Sequence, residues 1–541
     1  MLNKYNNHFM LRTRMKRIYN HILLTILLAA LCLPVWAQAI NPMADDVRLK
    51  VNTFTLVELD SEVSAKLPRQ PLLKQLALER ARFGEMMSVD ELHQVADALT
   101  AYVRAKGYVF HSVFLPPQKI EDGFVTLNLQ KGTLSSVHII NNTALPDARF
   151  SRVFKDLVGN ILYAPAIEDR VQALKMQGGF EIFAFYSRGV KAGEARLNLK
   201  VEKSRQRSFS LKADNYGSES SGKQRLIAQY SEFQLTGHHD RLSLAVLRSV
   251  DDVANTYGSL SYSLPFAGLQ YAWDISASNN QFEVGARFAS LGLEGDATTV
   301  RTGITKHFGF HAKHRSRMRL GLFSKHNSLG ADDDSGVQEE LSQGLSLQWF
   351  KDKQWQKSSA LMNWVVGLSH GEYSVEAAAD GQFNKLNIST FWLKGMASGH
   401  ARNVLQLNLR GQASDAGLPS VEGVSLTGAD GVRGYEAGGF NADNAVLASL
   451  EWRFPSLLYF STEQRWRLEP FVMGDWATGD KEGLGDGLET QATYASAGVG
   501  MRLDWGRHLT AQVTASSALK GELNGTEVEG DGQVLFEIRW Y

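Results

Sequence analysis

Hydrophobic and polar residues alternate along the C-terminal two-thirds of the chain, from about residue 205 onward. A clear example is the segment 446–454, in which one face consists of Val446, Ala448, Leu450, Trp452 and Phe454. The residues between them include Glu451 and Arg453, so charge is tolerated on the other face. A period of two with one apolar face is typical of β-strands. We therefore predict that this region is built almost entirely of strands and turns.

The strand pattern repeats sixteen times between residue 205 and the C-terminus. The predicted segments start near residues 206, 224, 241, 257, 269, 298, 317, 343, 359, 387, 403, 445, 466, 493, 508 and 532. Each segment runs for about ten residues, which is the length of a tilted membrane-spanning strand, and an even number of strands is expected of a bacterial barrel. Gly-rich and Asp-rich stretches, such as 330–336 and 474–487, are predicted to lie between segments.

A soluble β-sandwich would alternate in the same way, so the position of the aromatic residues matters. Pairs such as Trp452/Phe454 and Trp540/Tyr541 stand at segment ends, where a membrane barrel has its interfacial girdles. In lipid every backbone group must be paired, so an all-β membrane domain must close into a barrel. The fold class that we predict is mostly β, with a 16-stranded transmembrane β-barrel at 205–541.

Two copies of a mixed α+β unit precede the barrel, at 47–131 and 132–204. Each unit reads strand, helix, helix, strand, strand, which indicates a tandem structural repeat. The helices of the first unit are predicted at 72–81 and 89–104, with Ser88 and Glu91 as a capping box. The remaining predicted elements are strands at 47–55, 108–115, 124–129, 134–140, 180–186 and 195–201, and helices at 149–157 and 167–176.

Residues 1–39 have the features of a signal peptide: a basic start, an apolar stretch at 22–33, and Ala37-Gln38-Ala39 as the cleavage pattern. The only cysteine, Cys32, lies in this segment. The mature chain is therefore expected to lack disulfides, thiolate metal sites and cysteine nucleophiles. Residues 40–46 form a short segment without an obvious plug helix.

Charge and candidate ligands exclude several functions. The chain has 57 basic and 57 acidic residues, and this balance gives no reason to expect nucleic acid as a partner. His307, His311 and His314 are interpreted as solvated turn residues, and Asp332-Asp333-Asp334 as a surface loop without the calcium-loop Glu. Glu469 and Asp475 have no companion base or nucleophile, so we predict no catalytic residue, no metal site and no cofactor.

The longest connection between predicted strands, 412–444, contains Val432-Arg433-Gly434-Tyr435. Two segments later, Phe471 and Asp475 share the parity that points into the barrel. A loop arginine that meets a carboxylate can form a bidentate, charge-assisted pair. Gly434 would let the backbone turn sharply beside it, and Tyr435 offers an apolar ring with a polar tip for packing against the wall.

These motifs resemble those of the two-partner secretion transporters, a family within the superfamily that includes the barrel-assembly insertases. The family's VRGY motif matches 432–435, its Phe and Asp four residues apart match Phe471 and Asp475, and its Pro-Gln element matches Pro117 and Gln118. The resemblance covers the whole mature chain and implies two POTRA domains followed by a 16-stranded barrel. It also implies that Arg433 pairs with Asp475 and anchors the loop. The family's frequent N-terminal plug helix has no counterpart here, which leaves open whether the loop alone closes the pore.

The resemblance implies a transporter of the bacterial outer membrane with its POTRA domains in the periplasm, and no enzyme. POTRA domains would capture an unfolded exoprotein, and the groove expected to hold it lies on the second domain between 167–176 and 180–186. The expected partners are a β-helical exoprotein, outer-membrane lipid and the barrel-assembly machinery. The sequence shows no Walker A pattern and so no nucleotide-binding site that could drive export. Folding of the exported chain outside the cell would then give the transport its direction. The alternatives are an outer-membrane insertase, for which two POTRA units are few, and a passive porin or receptor.

Overall fold

The structure is a computed structural model of the 541-residue chain. It describes residues 47–59, 69–331, 338–376, 378–398, 401–455, 458–459, 466–482 and 489–541. The predicted signal peptide, the segment 40–46 and the Asp-rich loop at 332–334 lie outside the described residues. Among the described helices, none combines the length and the apolar character that a membrane span requires.

The first module contains two helices and two small sheets. One sheet pairs β1 with β3, and the other has the strand order β2-β5-β4. The predicted capping box forms, because Glu91 N donates to Ser88 Oγ at 3.2 Å and Ser88 N donates to Glu91 Oε2 at 2.8 Å. The elements are β1 (Leu49–Lys50), β2 (Thr53–Leu59), α1 (Arg69–Phe83), β3 (Met86–Met87), α2 (Val89–Ala105), β4 (Ser112–Phe114) and β5 (Phe124–Gln130).

The second module places three helical segments against one three-stranded sheet with the order β6-β8-β7. β6 and β8 are parallel, whereas β7 is antiparallel to β8. The predicted helix at 149–157 is shorter than expected, because it passes into a 3₁₀ turn at Arg152–Phe154. The elements are β6 (Thr133–Asn141), α3 (Asp147–Ser151), α4 (Ala164–Lys175), β7 (Phe180–Arg188) and β8 (Glu194–Lys203).

The described residues divide into two compact units. One unit contains 47–58, 69–102 and 113–129, and the other contains 59, 103–112 and the described residues from 130 to 541. The segment 103–112 belongs to the second unit because it packs on the second module, where Ala164 N donates to Gly107 O at 2.9 Å. The predicted strand at 108–115 is reduced to β4, since this packing bends the chain before Ser112.

Sixteen long antiparallel strands form a closed barrel, with β28 returning to β9. The closing seam is short and joins Glu537 to Asp214 and Trp540 to Leu211. Short strands supplement the barrel and its loop: β20 (Val424–Ser425) pairs with β21 (Asn441–Ala442), β23 (Leu458–Tyr459) with β24, and β27 (Thr526–Glu527) with β26.

The long strands of the barrel are β9 (Arg207–Asp214), β10 (Arg225–Phe233), β11 (Arg241–Ser249), β12 (Asn255–Phe266), β13 (Tyr271–Glu283), β14 (Leu293–Gly309), β15 (His314–Ala331), β16 (Gln338–Trp355), β17 (Ala360–Val375), β18 (Ala378–Ser398), β19 (Ala401–Ser414), β22 (Asn444–Arg453), β24 (Trp466–Lys481), β25 (Thr490–Trp505), β26 (Leu509–Leu523) and β28 (Gln533–Trp540).

The predicted strand count is confirmed, and two of the predicted turns were wrong. β18 starts at Ala378 rather than near residue 387, and β24 continues through Gly474 to Lys481. Both stretches are rich in Gly and Asp, which indicated turns. Pairing with neighbouring strands overrides that composition, because Asp480 pairs with Asn444 and with Gln491 and so extends the ladder beyond the predicted end.

The alternation read from the sequence separates the two faces of the barrel wall. In β22, Val446, Leu450 and Trp452 are exposed on the outside, whereas Leu447 and Glu451 are buried inside. The C-terminal strand shows the same separation, with Val534, Phe536, Ile538 and Trp540 exposed on the outside. A soluble sandwich would bury its apolar face between sheets, so a closed ring with apolar residues outside is the arrangement of a membrane barrel.

Candidate functional site

The connection between β19 and β22 folds back on itself before it meets the barrel wall. β20 pairs with β21, and Val432 N donates to Leu426 O at 2.9 Å. Gly428 occupies the left-handed region with φ +97°, where a Cβ would also lie 2.7 Å from Ala437 Cα. These internal bonds shape a tip at residues 428–435, which carries Arg433 to the inner face of the strands.

Arg433 and Asp475, which the sequence motifs singled out, lie in direct contact. Arg433 Nε donates to Asp475 Oδ2 at 2.8 Å, and Nη2 donates to Oδ1 at 2.8 Å. The backbone N of Arg433 donates to the same Oδ2 at 3.2 Å. The geometry is the bidentate fork that guanidinium and carboxylate groups form best. Both residues are buried, so the contact joins the loop tip to β24 in a site shielded from water.

A second carboxylate, which the motifs did not indicate, completes the site. Arg433 Nη1 donates to Glu451 Oε1 at 2.7 Å, and Nη2 donates to Ser449 Oγ at 3.1 Å. Arg453 Nε donates to the other oxygen of Glu451 at 3.0 Å. The alternation of residues along the sequence puts Ser449, Glu451 and Arg453 on one face of β22. The sequence alone did not indicate that this face contacts the loop.

The charges of the site balance. Two guanidinium groups, of Arg433 and Arg453, meet two carboxylates, of Asp475 and Glu451. Since all of Arg433, Asp475 and Glu451 are buried, removal of one partner leaves a buried charge without compensation. Such a loss typically costs about 3–5 kcal/mol. The constellation can therefore hold the loop tip firmly.

Gly434 lies in a turn, where Tyr435 N donates to Val432 O at 3.3 Å, and its lack of a side chain has a second role. The sharp turn predicted at this position does not require a left-handed backbone, because Gly434 is absent from the residues with positive φ in the described chain. Instead, a Cβ at Gly434 would lie 2.7 Å from Ser496 Cβ and 3.0 Å from Ala518 N. The glycine allows the loop backbone to touch the wall, where Ser516 Oγ donates to Arg433 O at 2.6 Å.

The other motif residues pack around this contact. The ring of Tyr435 lies 4.8 Å from the ring of Tyr494, and a Cβ at Gly521 would lie 2.8 Å from Tyr435 Oη. Val432 is buried in the same cluster as Leu426 and Tyr494. Phe471 is buried on the inner face of β24, four residues before Asp475 on the same face, and packs over Gly500.

The loop has a second charged contact, on other strands, that sequence reasoning missed. Glu422, in a 3₁₀ turn at Ser420–Glu422, is buried, and Lys325 Nζ lies 2.8 Å from its Oε1. Lys385 Nζ lies 2.5 Å from the other carboxylate oxygen. Ser342 Oγ donates to Oε1 at 2.9 Å. The loop is therefore bound at Glu422 to β15, β16 and β18, and at Arg433 to β22 and β24.

Pro117 and Gln118 lie far along the chain from the loop and have a local role. Gln118 Nε2 donates to Thr126 O at 2.7 Å, and Thr126 N donates to Gln118 Oε1 at 2.8 Å. The side-chain amide thus imitates a backbone partner for β5 at a point where β4 has ended. Pro117 precedes it in the connection between the two strands.

The histidines near residue 310 correct one interpretation. His307 lies within β14 rather than in a turn, and its half-buried ring stacks on Phe310 with centroids 4.7 Å apart. His311 lies in the turn, and its ring centroid is 4.6 Å from that of His314. Within the described ranges, no group of three or more His, Cys, Asp or Glu residues has an arrangement that could hold a metal ion.

Comparison with known proteins adds to this geometry. The family of haemolysin secretion/activation proteins ShlB/FhaC/HecB matches residues 193–503, and the ShlB-type POTRA domain matches residues 60–132. The heme/hemopexin transporter protein HuxB of Haemophilus influenzae is 22% identical over 465 residues, which cover 82% of this chain and 80% of HuxB. The hemolysin transporter protein HpmB of Proteus mirabilis is 23% identical over 292 residues, or 51% of this chain and 52% of HpmB.

Solved structures show the same fold. CdiB from Escherichia coli superposes with a TM-score of 0.74 at 17% identity, covering 94% of this chain and 93% of that one. CdiB from Acinetobacter baumannii superposes with a TM-score of 0.68 at 16% identity, covering 91% of this chain and 90% of the other. At this level of identity, the likeness supports the barrel architecture and not a particular cargo.

Proposed function

The chain belongs to the family of haemolysin secretion/activation proteins ShlB/FhaC/HecB, and on that premise we propose that it exports one dedicated exoprotein whose passage depends on the in-folded loop. It is an outer-membrane transporter of two-partner secretion, with its POTRA domains in the periplasm. The observation that carries the proposal is the buried contact of Arg433 with Asp475 and Glu451, which positions the loop on the inner wall.

The edge strand β7 of the second module supports capture of an unfolded chain. Among the described strands, β7 pairs with β8 alone, so its other edge is available. Phe183 and Phe185 are exposed there, at 60% and 48% of their surface. An extended polypeptide can add to such an edge through backbone hydrogen bonds, while exposed aromatic side chains bind its apolar residues. We therefore place the groove between α4 and β7.

The partner that this arrangement suits is a long exoprotein that is still unfolded in the periplasm and becomes β-helical outside. HuxB and HpmB are named as transporters of heme/hemopexin and of hemolysin, which supports a related kind of cargo here. Direction would come from folding of the cargo, without ATP and without catalysis. The remaining partners that we propose are outer-membrane lipid and the barrel-assembly machinery, which would insert this barrel.

The decisive experiment deletes the gene in its native host and compares the secreted proteins with the outer-membrane proteins. We expect the loss of one large secreted protein, restored by the intact gene, while other barrels remain in the membrane. A general loss of outer-membrane barrels would instead favour the alternative, an insertase, and would overturn export. A large exoprotein gene next to this one would supply the candidate cargo.

A further inference from the structure

Four lysines point outward from the barrel near the periplasmic ends of its strands. Side chains an even number of positions apart on a strand share a face. Lys351 and Lys353 therefore lie on the outer face of β16 with the exposed Leu347, and Lys306 on the outer face of β14 with the exposed Ile304. By the same reasoning, Lys394 shares the outer face of β18 with Ile388. Their ends of the strands are periplasmic because β9 begins directly after the second module, and consecutive strands alternate in direction.

Three of these lysines lie close to aromatic rings, and the fourth, Lys394, shares the outer face of its strand with a tryptophan. Lys351 Nζ lies 5.7 Å from the ring centroids of both Trp349 and Trp364. Lys353 Nζ lies 4.7 Å from the ring of Trp355. Lys306 Nζ lies 5.7 Å from the ring of Tyr271 and 5.4 Å from that of Phe308, and Lys394 follows Trp392 by two positions along β18. Tryptophan and tyrosine at strand ends mark the level of the lipid headgroups.

The four ammonium groups have no carboxylate partner within the part of the chain that the structure describes. Outward positions at the periplasmic ends of β13 to β18 carry no Asp or Glu among the described residues. The nearest acidic residues on these strands, Asp274 and Asp352, belong to the inner parity and pair with arginines there. Other exposed cations of the barrel do have carboxylate partners, as in Arg207 with Glu232 at 3.0 Å and Lys520 with Glu522 at 2.8 Å.

We propose that this basic-aromatic face, defined by Lys306, Lys351, Lys353 and Lys394, binds the phosphate of anionic phospholipids in the periplasmic leaflet. The charge requires an anion from outside the chain, and the girdle rings place that anion at headgroup depth. The acyl chains of the same lipid would lie along the apolar outer surface above the lysines, where Leu347, Leu368 and Leu320 are exposed. A site on one side of the barrel would orient lipids around β13 to β18 and not around the closing seam.

The experiment uses the full chain in bilayers of phosphatidylethanolamine that contain a minority of phosphatidylglycerol. Electron spin resonance of spin-labelled lipids measures how strongly phosphatidylglycerol is enriched next to the protein. Lys351→Gln together with Lys353→Gln should reduce this enrichment by roughly fivefold for each lysine, the value expected for one cation at an anionic surface. The conservative Lys351→Arg with Lys353→Arg variant should retain it. Phosphatidylglycerol and cardiolipin are compared as separate probes.

Two controls keep the result interpretable. Lys520→Gln removes an exposed lysine that already has an acidic partner, so it should leave the enrichment unchanged. Heat-modifiable migration in electrophoresis verifies that every variant forms a barrel. Equal enrichment in the Gln variant and the unmodified protein would overturn the proposal. Loss of the enrichment in millimolar inorganic phosphate would overturn it as well, because the face would then bind a free ion rather than a lipid.

Discussion

Arg433 uses three nitrogen atoms of its guanidinium group to contact two strands. Nε and Nη2 bind Asp475 on β24, while Nη1 binds Glu451 on β22. These strands are neighbours in the barrel, and Ser449 pairs directly with Asp475 across them. A planar, permanently charged fork can satisfy both carboxylates at once, whereas a single ammonium cannot. The identity of the residue, and not only its charge, therefore determines how the loop tip is held.

Replacement of Arg433 tests this directly. Arg433→Ala leaves Asp475 buried without its cation, while Glu451 keeps its contact with Arg453, and the expected loss is about 3–5 kcal/mol. We expect secretion of the partner to fall at least tenfold while the barrel still assembles. Arg433→Lys should restore little, because an ammonium lacks the bidentate geometry. Secretion is measured in culture supernatant, and barrel formation by heat-modifiable migration.

Arg410 provides the matched control for this substitution. It lines the same cavity beside Arg433 and Glu451, but it is exposed. Arg410→Lys should therefore leave secretion close to that of the unmodified protein. Secretion that is unchanged in Arg433→Ala would refute the anchoring role of the pair. An equal loss in Arg410→Lys would show that any change at an arginine of this cavity impairs secretion, and not loss of the buried contact in particular.

At the scale of elements, the loop 412–444 is bound at two separate charge clusters. Glu422 is enclosed by Lys325 on β15 and Lys385 on β18, and Arg433 by carboxylates on β22 and β24. Lys385 also donates to Glu422 O at 3.0 Å, so the backbone of the 3₁₀ turn is held together with its side chain. Because these two clusters lie on different strands, the loop has far less conformational freedom than a loop that is bound at its tip alone.

Glu422→Gln should weaken the attachment of the 3₁₀ turn at Ser420–Glu422 to the barrel wall without unfolding the barrel. The amide keeps the shape but removes the charge, and it leaves Lys325 and Lys385 close together with no anion between them. We expect a higher and noisier conductance in planar bilayers. Glu339→Gln, on an exposed residue that lies 3.8 Å from His326, is the control and should conduct like the unmodified protein. Identical conductance in the Glu422 variant would show that the tip contact suffices.

The edge of β7 makes a prediction about where the cargo binds. A photo-crosslinking residue in place of Phe183, which is exposed beside the free edge, should capture the exoprotein in the periplasm. The same residue at Val190 is the control, because that position is 89% exposed but lies in the turn after β7. Equal crosslinking at both positions would mean that exposure, and not the strand edge, explains the contact.

At the scale of the whole molecule, the second module and the periplasmic turns of the barrel form one compact unit. The turn between β10 and β11 packs on the module, where Gln234 Nε2 donates to Gly178 O at 3.1 Å. The ring of His239 lies between Phe150 and Phe180, with centroids 6.1 Å and 5.7 Å away. On the next turn, Arg170 Nη1 donates to Gly268 O at 3.5 Å. Capture and passage therefore take place on elements that are packed together.

This docking should weaken in acid. Burial lowers the pKa of His239 from 6.5 to about 4. A hydrogen bond to the backbone of Arg149 and the charge of Asp240 oppose this shift of the pKa, whereas the charges of Arg149 and His238 add to it. A group whose pKa is lower when docked stabilises the docked state fully above pH 6.5 and loses that contribution as the pH falls toward 4. The loss is on the order of 3 kcal/mol. The protection factors of the amide hydrogens in the turn 234–240, which correct for the intrinsic pH dependence of exchange, should therefore fall between these values.

His239→Phe should abolish that pH dependence, because a phenyl ring fills the same apolar site without titrating. His238→Phe, at the exposed neighbouring position, should retain it. If the protection factors in the turn stay constant from pH 7 to pH 4 in the unmodified protein, the buried histidine does not control docking.

The sequence by itself determined the repeating pattern and therefore the architecture. A period of two with apolar residues such as Val446 and Leu450 on one face indicated strands, and the aromatic residues at the segment ends favoured a membrane barrel over a soluble sandwich. Closure of the sixteen strands follows because every backbone group in lipid must be paired. The motif around Arg433 and the parity of Asp475 indicated which residues meet. Local signals of this kind act within a few residues, so they can be read along the chain.

Only the tertiary structure decided which distant residues complete each site. Glu451, Lys325 and Lys385 look like ordinary strand residues, and His239 like an ordinary turn residue, until the closed barrel brings the loop and the second module against them. Their roles depend on register across many strands and on burial, neither of which any local pattern records. Gly434 shows the same limit, since its need for a hydrogen side chain comes from Ser496 on a strand 62 residues away.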